Sequence, residues 1–107
     1  MTVDDFCGIL AGFTRVTGIP FRHYVFSEPV SAPCLVYYEM DGENVQADGV
    51  NVLDDVWIRA ELYVRPTDAG SGAAFEELLT ANGLSYDRER AWVDERGEVV
   101  YYYDITI

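Results

Sequence analysis

Apolar and polar residues alternate with a period of two over residues 50–64. One set is Val50, Val52, Asp54, Val56, Ile58, Ala60, Leu62 and Val64, and the other is Asn51, Leu53, Asp55, Trp57, Arg59, Glu61 and Tyr63. The pattern predicts a β-strand with one apolar face, interrupted there only by Asp54. At roughly 3.3 Å per residue the strand would be about 50 Å long, well beyond the usual length, so one end is expected to project as a hairpin arm.

The other elements follow from the same kind of pattern. Thr2 followed by Asp5 makes a short capping box. Phe6, Ile9, Leu10, Phe13 and Val16 then fall at helical spacing, which predicts a helix over 3–16 stopped by Gly18 and Pro20. Residues 21–27 read as a strand, 28–33 (with Pro29 and Pro33) as a turn or irregular edge, and 34–40 as a second strand. Residues 41–49, with Gly42 and Gly49 near their ends, link that strand to the long one as an antiparallel pair. A connector rich in breakers covers 65–72, and a second helix covers 73–82. Ala74, Phe75, Leu78 and Leu79 form its core stripe, and Glu76 and Glu77 face outward. Residues 85–93 alternate weakly and carry charge on both sides, as suits a strand near a sheet edge. A turn at 94–97 leads to a last strand over 99–107, with Val99, Tyr101, Tyr103, Ile105 and Ile107 alternating against Val100, Tyr102, Asp104 and Thr106. The sum is a single α+β domain over 1–107, in the order α-β-β-β-α-β-β. It has a mostly antiparallel sheet of about five strands, two helices packed on one face and a long projecting hairpin.

Composition changes this picture in three ways. The chain has 107 residues, 50% hydrophobic and 14% aromatic, enough apolar surface for one core without a metal or disulfide. No apolar run approaches the roughly 20 residues that span a bilayer, and no basic segment followed by an apolar one opens the chain, so neither a membrane span nor secretion by a signal peptide is expected. Cys7 and Cys34 are accordingly expected as reduced thiols. The net charge of −12 argues against a phosphate-binding surface, which needs clustered cations. It is compatible with DNA sliding past an acidic wall, or with solubility alone.

Candidate chemistry is sparse. His23 is the single histidine, and Cys34 could approach it if the first two strands pair. Nothing supplies an orienting third group or an oxyanion hole. There is no phosphate-binding glycine loop, no paired-histidine zinc motif and no Cys-x-x-Cys. The acidic residues Asp41, Glu43, Asp48, Asp54 and Asp55 do not follow the spacing of a calcium loop. Asp54, on an otherwise apolar strand face, is either a functional acid or the point where the strand leaves the core. An enzyme is therefore not expected, and no catalytic residue, cofactor or metal is assigned. What remains is surface. Asp41, Glu43, Asn44, Asp48 and Asp54 on and beside the loop, with the aromatics Trp57, Tyr63, Trp92 and Tyr102, are the candidate protein interface. The competing reading of the aromatics is that helices cover them, or that the rings pack on one another.

A resemblance enters through a series of short motifs: Asn44-Val45-Gln46-Ala47-Asp48-Gly49, Arg59-Ala60-Glu61-Leu62-Tyr63, Phe75-Glu76-Glu77-Leu78-Leu79, Gly83-Leu84-Ser85-Tyr86 and Val100-Tyr101-Tyr102-Tyr103. In that order the chain resembles the small minor tail proteins of long-tailed bacteriophages and prophages. The glycine-rich residues 69–72 and the Val64-Arg65-Pro66 strand end depart from the pattern, and they bear on the strand-to-helix connection. The resemblance implies a tail terminator or tail-completion protein. Such proteins form a ring, commonly hexameric, that caps the tail tube and meets the head connector, so virion localisation, self-association and tail-tube and head-connector partners would follow. It implies no catalytic residue and neither specific nucleic-acid binding nor a membrane. The other readings of the chain are a different neck or baseplate component, or an acidic monomeric interaction domain that occupies a basic partner.

Overall fold

The computed structural model describes residues 1–28, 30–40, 57–93 and 95–107. Asp41, Glu43, Asn44, Asp48 and Asp54, and the arm expected there, lie outside the described residues. Helix α1 spans Val3–Thr17. Its capping box closes as expected: Thr2 Oγ1 accepts from the Asp5 N–H at 3.1 Å, and Asp5 Oδ2 accepts from the Thr2 N–H at 3.0 Å. Gly18 ends the helix at φ 79°, a left-handed turn that disfavours a side chain. The inward line is Phe6, Leu10 and Phe13, and Thr17 continues it by donating its hydroxyl to the Phe13 carbonyl at 2.8 Å. Val16, expected on that stripe, lies one residue (about 100°) off it and is exposed.

Helix α2 spans Gly70–Ala81, three residues earlier than the connector expected over 65–72 allows. The cause is Asp68. Its Oδ1 accepts from the Gly70 and Ser71 N–H groups, each at 3.0 Å, and its Oδ2 accepts from the Ser71 hydroxyl at 2.6 Å. One carboxylate thus satisfies the helix start and carries it through two glycines that weaken helix propensity. The bonds from Ser71, side chain first, hold the Asp68 carboxyl below the ordinary aspartate range.

The five strands are β1 (Phe21–His23), β2 (Cys34–Met40), β3 (Trp57–Val64), β4 (Ser85–Val93) and β5 (Glu98–Thr106). They lie in the order β1-β2-β3-β5-β4. β1 pairs parallel to β2, and every other pair is antiparallel. The fold is thus the expected α+β class in the expected element order, with one parallel edge. The first strand is shorter than the 21–27 read from the sequence. Tyr24 adopts φ 73° and donates its N–H to the Tyr37 carbonyl at 2.8 Å, which turns the chain off the sheet. Residues 24–28 and 30–33 lie between β1 and its parallel neighbour β2.

Both helices pack on one face. Leu35 and Tyr37, then Ile58, Ala60, Leu62 and Val64, then Val99, Tyr103 and Ile105 meet Phe6, Leu10 and Phe13 of α1 and Phe75 and Leu79 of α2. Phe75 is the hub: its ring lies edge-on to Phe13 at 5.7 Å and to Tyr103 at 5.0 Å. Glu76, expected to face outward with Glu77, does not. It accepts from the Tyr103 hydroxyl and from Arg88 Nη1, each at 2.9 Å, with the Tyr86 hydroxyl at 3.4 Å. These three side chains share the helix-side parity of β4 and β5, so their polar ends converge under α2. Tyr103 is fully buried and needs an acceptor there.

Two outcomes follow. Glu76→Ala leaves the Tyr103 hydroxyl buried without its acceptor and is expected to cost about 1–3 kcal/mol, read from denaturant midpoints. The Glu76→Ala and Tyr103→Phe effects should then be non-additive. Because folding lowers the Asp68 pKa, its contribution is complete above the unfolded aspartate value. It is lost as pH falls through the lower folded value. Asp68→Asn keeps an acceptor without the charge, so between about pH 5 and pH 2 its thermal midpoint should fall less than that of the parent.

Candidate functional site

The sheet face away from the helices carries the other parity of every strand. Reading across β2, β3, β5 and β4, its successive rows are Met40–Trp57–Thr106–Ser85, Tyr38–Arg59–Asp104–Asp87, Val36–Glu61–Tyr102–Glu89 and Cys34–Tyr63–Val100–Ala91. Alternation forces this arrangement, since each residue facing the core sends its neighbours to the far side.

Two polar groups organise the middle of that face. Arg59 forks onto Asp104 across the β3–β5 pair, Nε to Oδ1 at 2.8 Å and Nη2 to Oδ2 at 3.1 Å. Its guanidinium also sits 5.9 Å from the Tyr102 ring centroid. The bond to Asp104 raises the Arg59 pKa further above an already high value, so the charge is permanent. Beside it, Glu61 accepts from the Tyr38 hydroxyl at 2.6 Å and the Tyr63 hydroxyl at 2.5 Å. Burial first, and then the bond to Glu61, push Tyr38 up to about 12 and drive Tyr63 well above the ordinary phenol range. The result is a hydrogen-bonded lattice of one ion pair and one carboxylate held by two neutral phenols.

Of the sequence-predicted interface residues, the structure brings Trp57, Tyr63 and Tyr102 onto this one face. Trp57 is 43% exposed and stands opposite Met40, itself 37% exposed, at the end of the sheet from which the chain leaves β2. Tyr63 and Tyr102 are half-buried in the lattice. Trp92 does not join them. It shares the helix-side parity of Tyr86, Arg88 and Arg90 on β4 and is 56% exposed. The suggested pairing of Cys34 with His23 does not form, although β1 and β2 do pair. His23 aligns with Tyr37 on the helix side, stacks on that ring at 4.8 Å and contacts Glu39 Oε1 at 2.6 Å. Cys34 points to the opposite face, where burial pushes its thiol up and away from reactivity.

Several residues that build this face escaped the sequence reading. Arg59 and Asp104 carry opposite charges at matching strand parity, but only the β3–β5 register shows that they meet. The crossover formed by residues 24–28 and 30–33 was invisible as a structural part. Phe26 and Val30 line a cleft with Cys34, Val36 and Tyr63, so the crossover lies against the far face of the sheet. Among the described residues no three His, Cys, Asp or Glu side chains gather as metal ligands, and no helix is long and apolar enough to cross a membrane. No family model matches this chain, and neither a curated protein nor a solved structure matches it.

Spectrophotometric titration of the tyrosines tests the lattice. Glu61→Gln removes the charge opposing phenolate formation, so Tyr38 should ionise below its value of about 12. Burial, the larger cause, keeps it above the free phenol value of about 10. Because folding raises these phenol pKa values, their contribution to stability is complete below about pH 10 and is lost as pH rises through the folded values. The stability that the variant loses as pH rises from about 10 should therefore be smaller than the parent's.

Proposed function

We propose that this chain is a non-enzymatic assembly protein that joins its neighbours through the open face of its sheet. The observation that carries this reading is the exposed Trp57–Met40 pair at one end of that face, beside a rigid lattice of satisfied charges. A large aromatic anchor next to preorganised polar groups is the composition of an interface centre, and it needs little ordering on contact.

The specific form we infer is a tail terminator or tail-completion protein of a long-tailed bacteriophage or prophage. It would assemble as a ring, hexameric in the form the resemblance implies, at the end of the tail tube and against the head connector. Support comes from the order of sequence motifs, which fall on β3, α2 and β5. The charge of −12 fits a ring whose lumen lets DNA pass without holding it. That excess acid equally fits a monomer that captures a basic partner, and the two readings part on oligomeric state.

Sedimentation velocity from about micromolar to hundreds of micromolar protein, with negative-stain imaging of the heaviest species, separates them. Closed rings are the expected result, and a monomer throughout that captures a basic protein in a salt-sensitive way supports the second reading. Trp57→Ala should weaken self-association by at least about fivefold with an unchanged circular dichroism spectrum. Undiminished assembly in that variant removes the open face as the contact.

A further inference from the structure

The sheet ends in two unlike edges. β1 is three residues long and stops at the turn made by Tyr24, whereas β4 runs nine residues along the other edge. Its ladder with β5 keeps one register from Ser85 opposite Thr106 to Val93 opposite Glu98, with no bulge, and it contains no proline. Alternate residues of β4 therefore point their N–H and C=O groups outward, where no described strand pairs with them. Bulges, prolines and short length are three usual guards of such an edge, and β4 has none of them. The guard it does have is charge.

That charge is sorted by face. Arg88 and Arg90 stand on the helix side, Asp87 and Glu89 stand on the open side, and all four are exposed. Two copies joined antiparallel along this edge keep their helices on the same side, because a half-turn about the sheet normal reverses the strand but leaves the faces unchanged. Arginine then meets arginine, and carboxylate meets carboxylate, in every register that overlaps the charged centres. A parallel joint turns one copy over and needs a one-residue stagger, so it cannot close as a twofold pair. The edge is thus set against its own copy and suited to a strand of the complementary pattern.

The same strand carries an apolar foothold. Trp92, on the helix side, is 56% exposed, and beside it a hollow of about 310 Å³ is lined by Arg90, Ala91, Trp92 and Val99. Trp92 follows Arg88 and Arg90 at the strand period, so one extended segment reaches all three with alternate side chains.

We propose that the β4 edge takes up an extended segment of a different protein as a sixth strand of the sheet. That segment presents acidic residues to Arg88 and Arg90, basic residues to Asp87 and Glu89, and an apolar residue to Trp92. Main-chain hydrogen bonds supply the attachment, and the sided charges select the partner. The edge is available for this whether or not the open face builds rings.

The test is NMR titration of the intact chain with an acetylated, amidated peptide, Thr-Val-Thr-Glu-Lys-Glu-Lys-Val-Thr. It puts valine and glutamate on one face and lysine and threonine on the other. A control peptide exchanges the glutamates and lysines. The first peptide should give saturable shifts along β4 and at the Trp92 indole, with slower exchange of the outward amides. The control should bind about tenfold more weakly. Equal binding of the two overturns the charge selection, and the absence of saturable shifts overturns the site. Shifts limited to side chains of the open face, with amide exchange unchanged, mean contact without an added strand and overturn it too. Joint replacement of two exposed residues, Glu89→Lys with Arg90→Glu, should bring the control peptide level with the first or ahead of it. An unchanged order of affinity refutes the proposal. Shifts along β4 that appear on raising the protein concentration alone would identify a second copy as the occupant and overturn the assignment to a different protein.

Discussion

The Tyr103 side chain has to satisfy two demands at one point, and much of the molecule is arranged around that. Its ring is fully buried against Phe75 of α2, which in turn meets Phe13 of α1. Its hydroxyl cannot reach water and donates instead to Glu76, one residue along the same helix. Adjacent positions on α2 therefore supply an apolar edge and an acceptor, and β5 is locked beneath that helix in a single register. Because β5 pairs with both β3 and β4, fixing it fixes the parity of the sheet. That parity delivers Arg59 to Asp104 and exposes Trp57 on the far side.

How much of this could be read from sequence depended on whether the signal was periodic or relational. The alternation in β3 and β5 assigned Ile58, Ala60, Leu62 and Val64, and likewise Val99, Tyr103 and Ile105, to the core. The capping box of α1 was legible because both partners lie within one turn. Glu76 was misread because an acidic residue next to a core stripe looks solvated until the strand beneath it is known to offer a buried phenol. The start of α2 was misread for a similar reason: two glycines look like a connector unless Asp68 is recognised as the group that satisfies the first amides. The crossover and the parallel edge depended on the left-handed turn at Tyr24, a residue type that does not advertise it. For the candidate site, strand parity placed Trp57, Tyr63 and Tyr102 together but could not say that Trp92 lies on the other side of the sheet.

The charges divide into two populations. All seven cations in the sequence are arginine, and Arg59, Arg88 and Arg96 stand with Asp104, Glu76 and Glu98. Arginine suits such positions because its planar fork can hold a carboxylate by two bonds. Part of the acidic excess is left on β4, where Asp87 and Glu89 are exposed on the open face. The surface thus pairs a hydrogen-bonded centre, in which Arg59 is matched by Asp104 and Glu61 is held by two hydroxyls, with an acidic border, and the two have different relations to salt. The border's field is screened by added ions, whereas the centre's short, part-buried bonds are much less so.

The strand order has a temporal side. β3 forms ladders with β2 and with β5, yet β5 is made only after α2 and β4. A nascent chain ending at β4 would hold β1, β2 and β3 with the β5 slot vacant, and β4 would have nothing to bond to. Completing the sheet then means that β5 pairs back along β4 and docks its other edge on β3, with Trp57 meeting Thr106 and Ser85 meeting the same residue from the other side. Such long-range closure slows folding relative to a meander of the same size. Until β5 is in place, the edge of β3 that it covers is open to other unfinished chains, an aggregation hazard during synthesis.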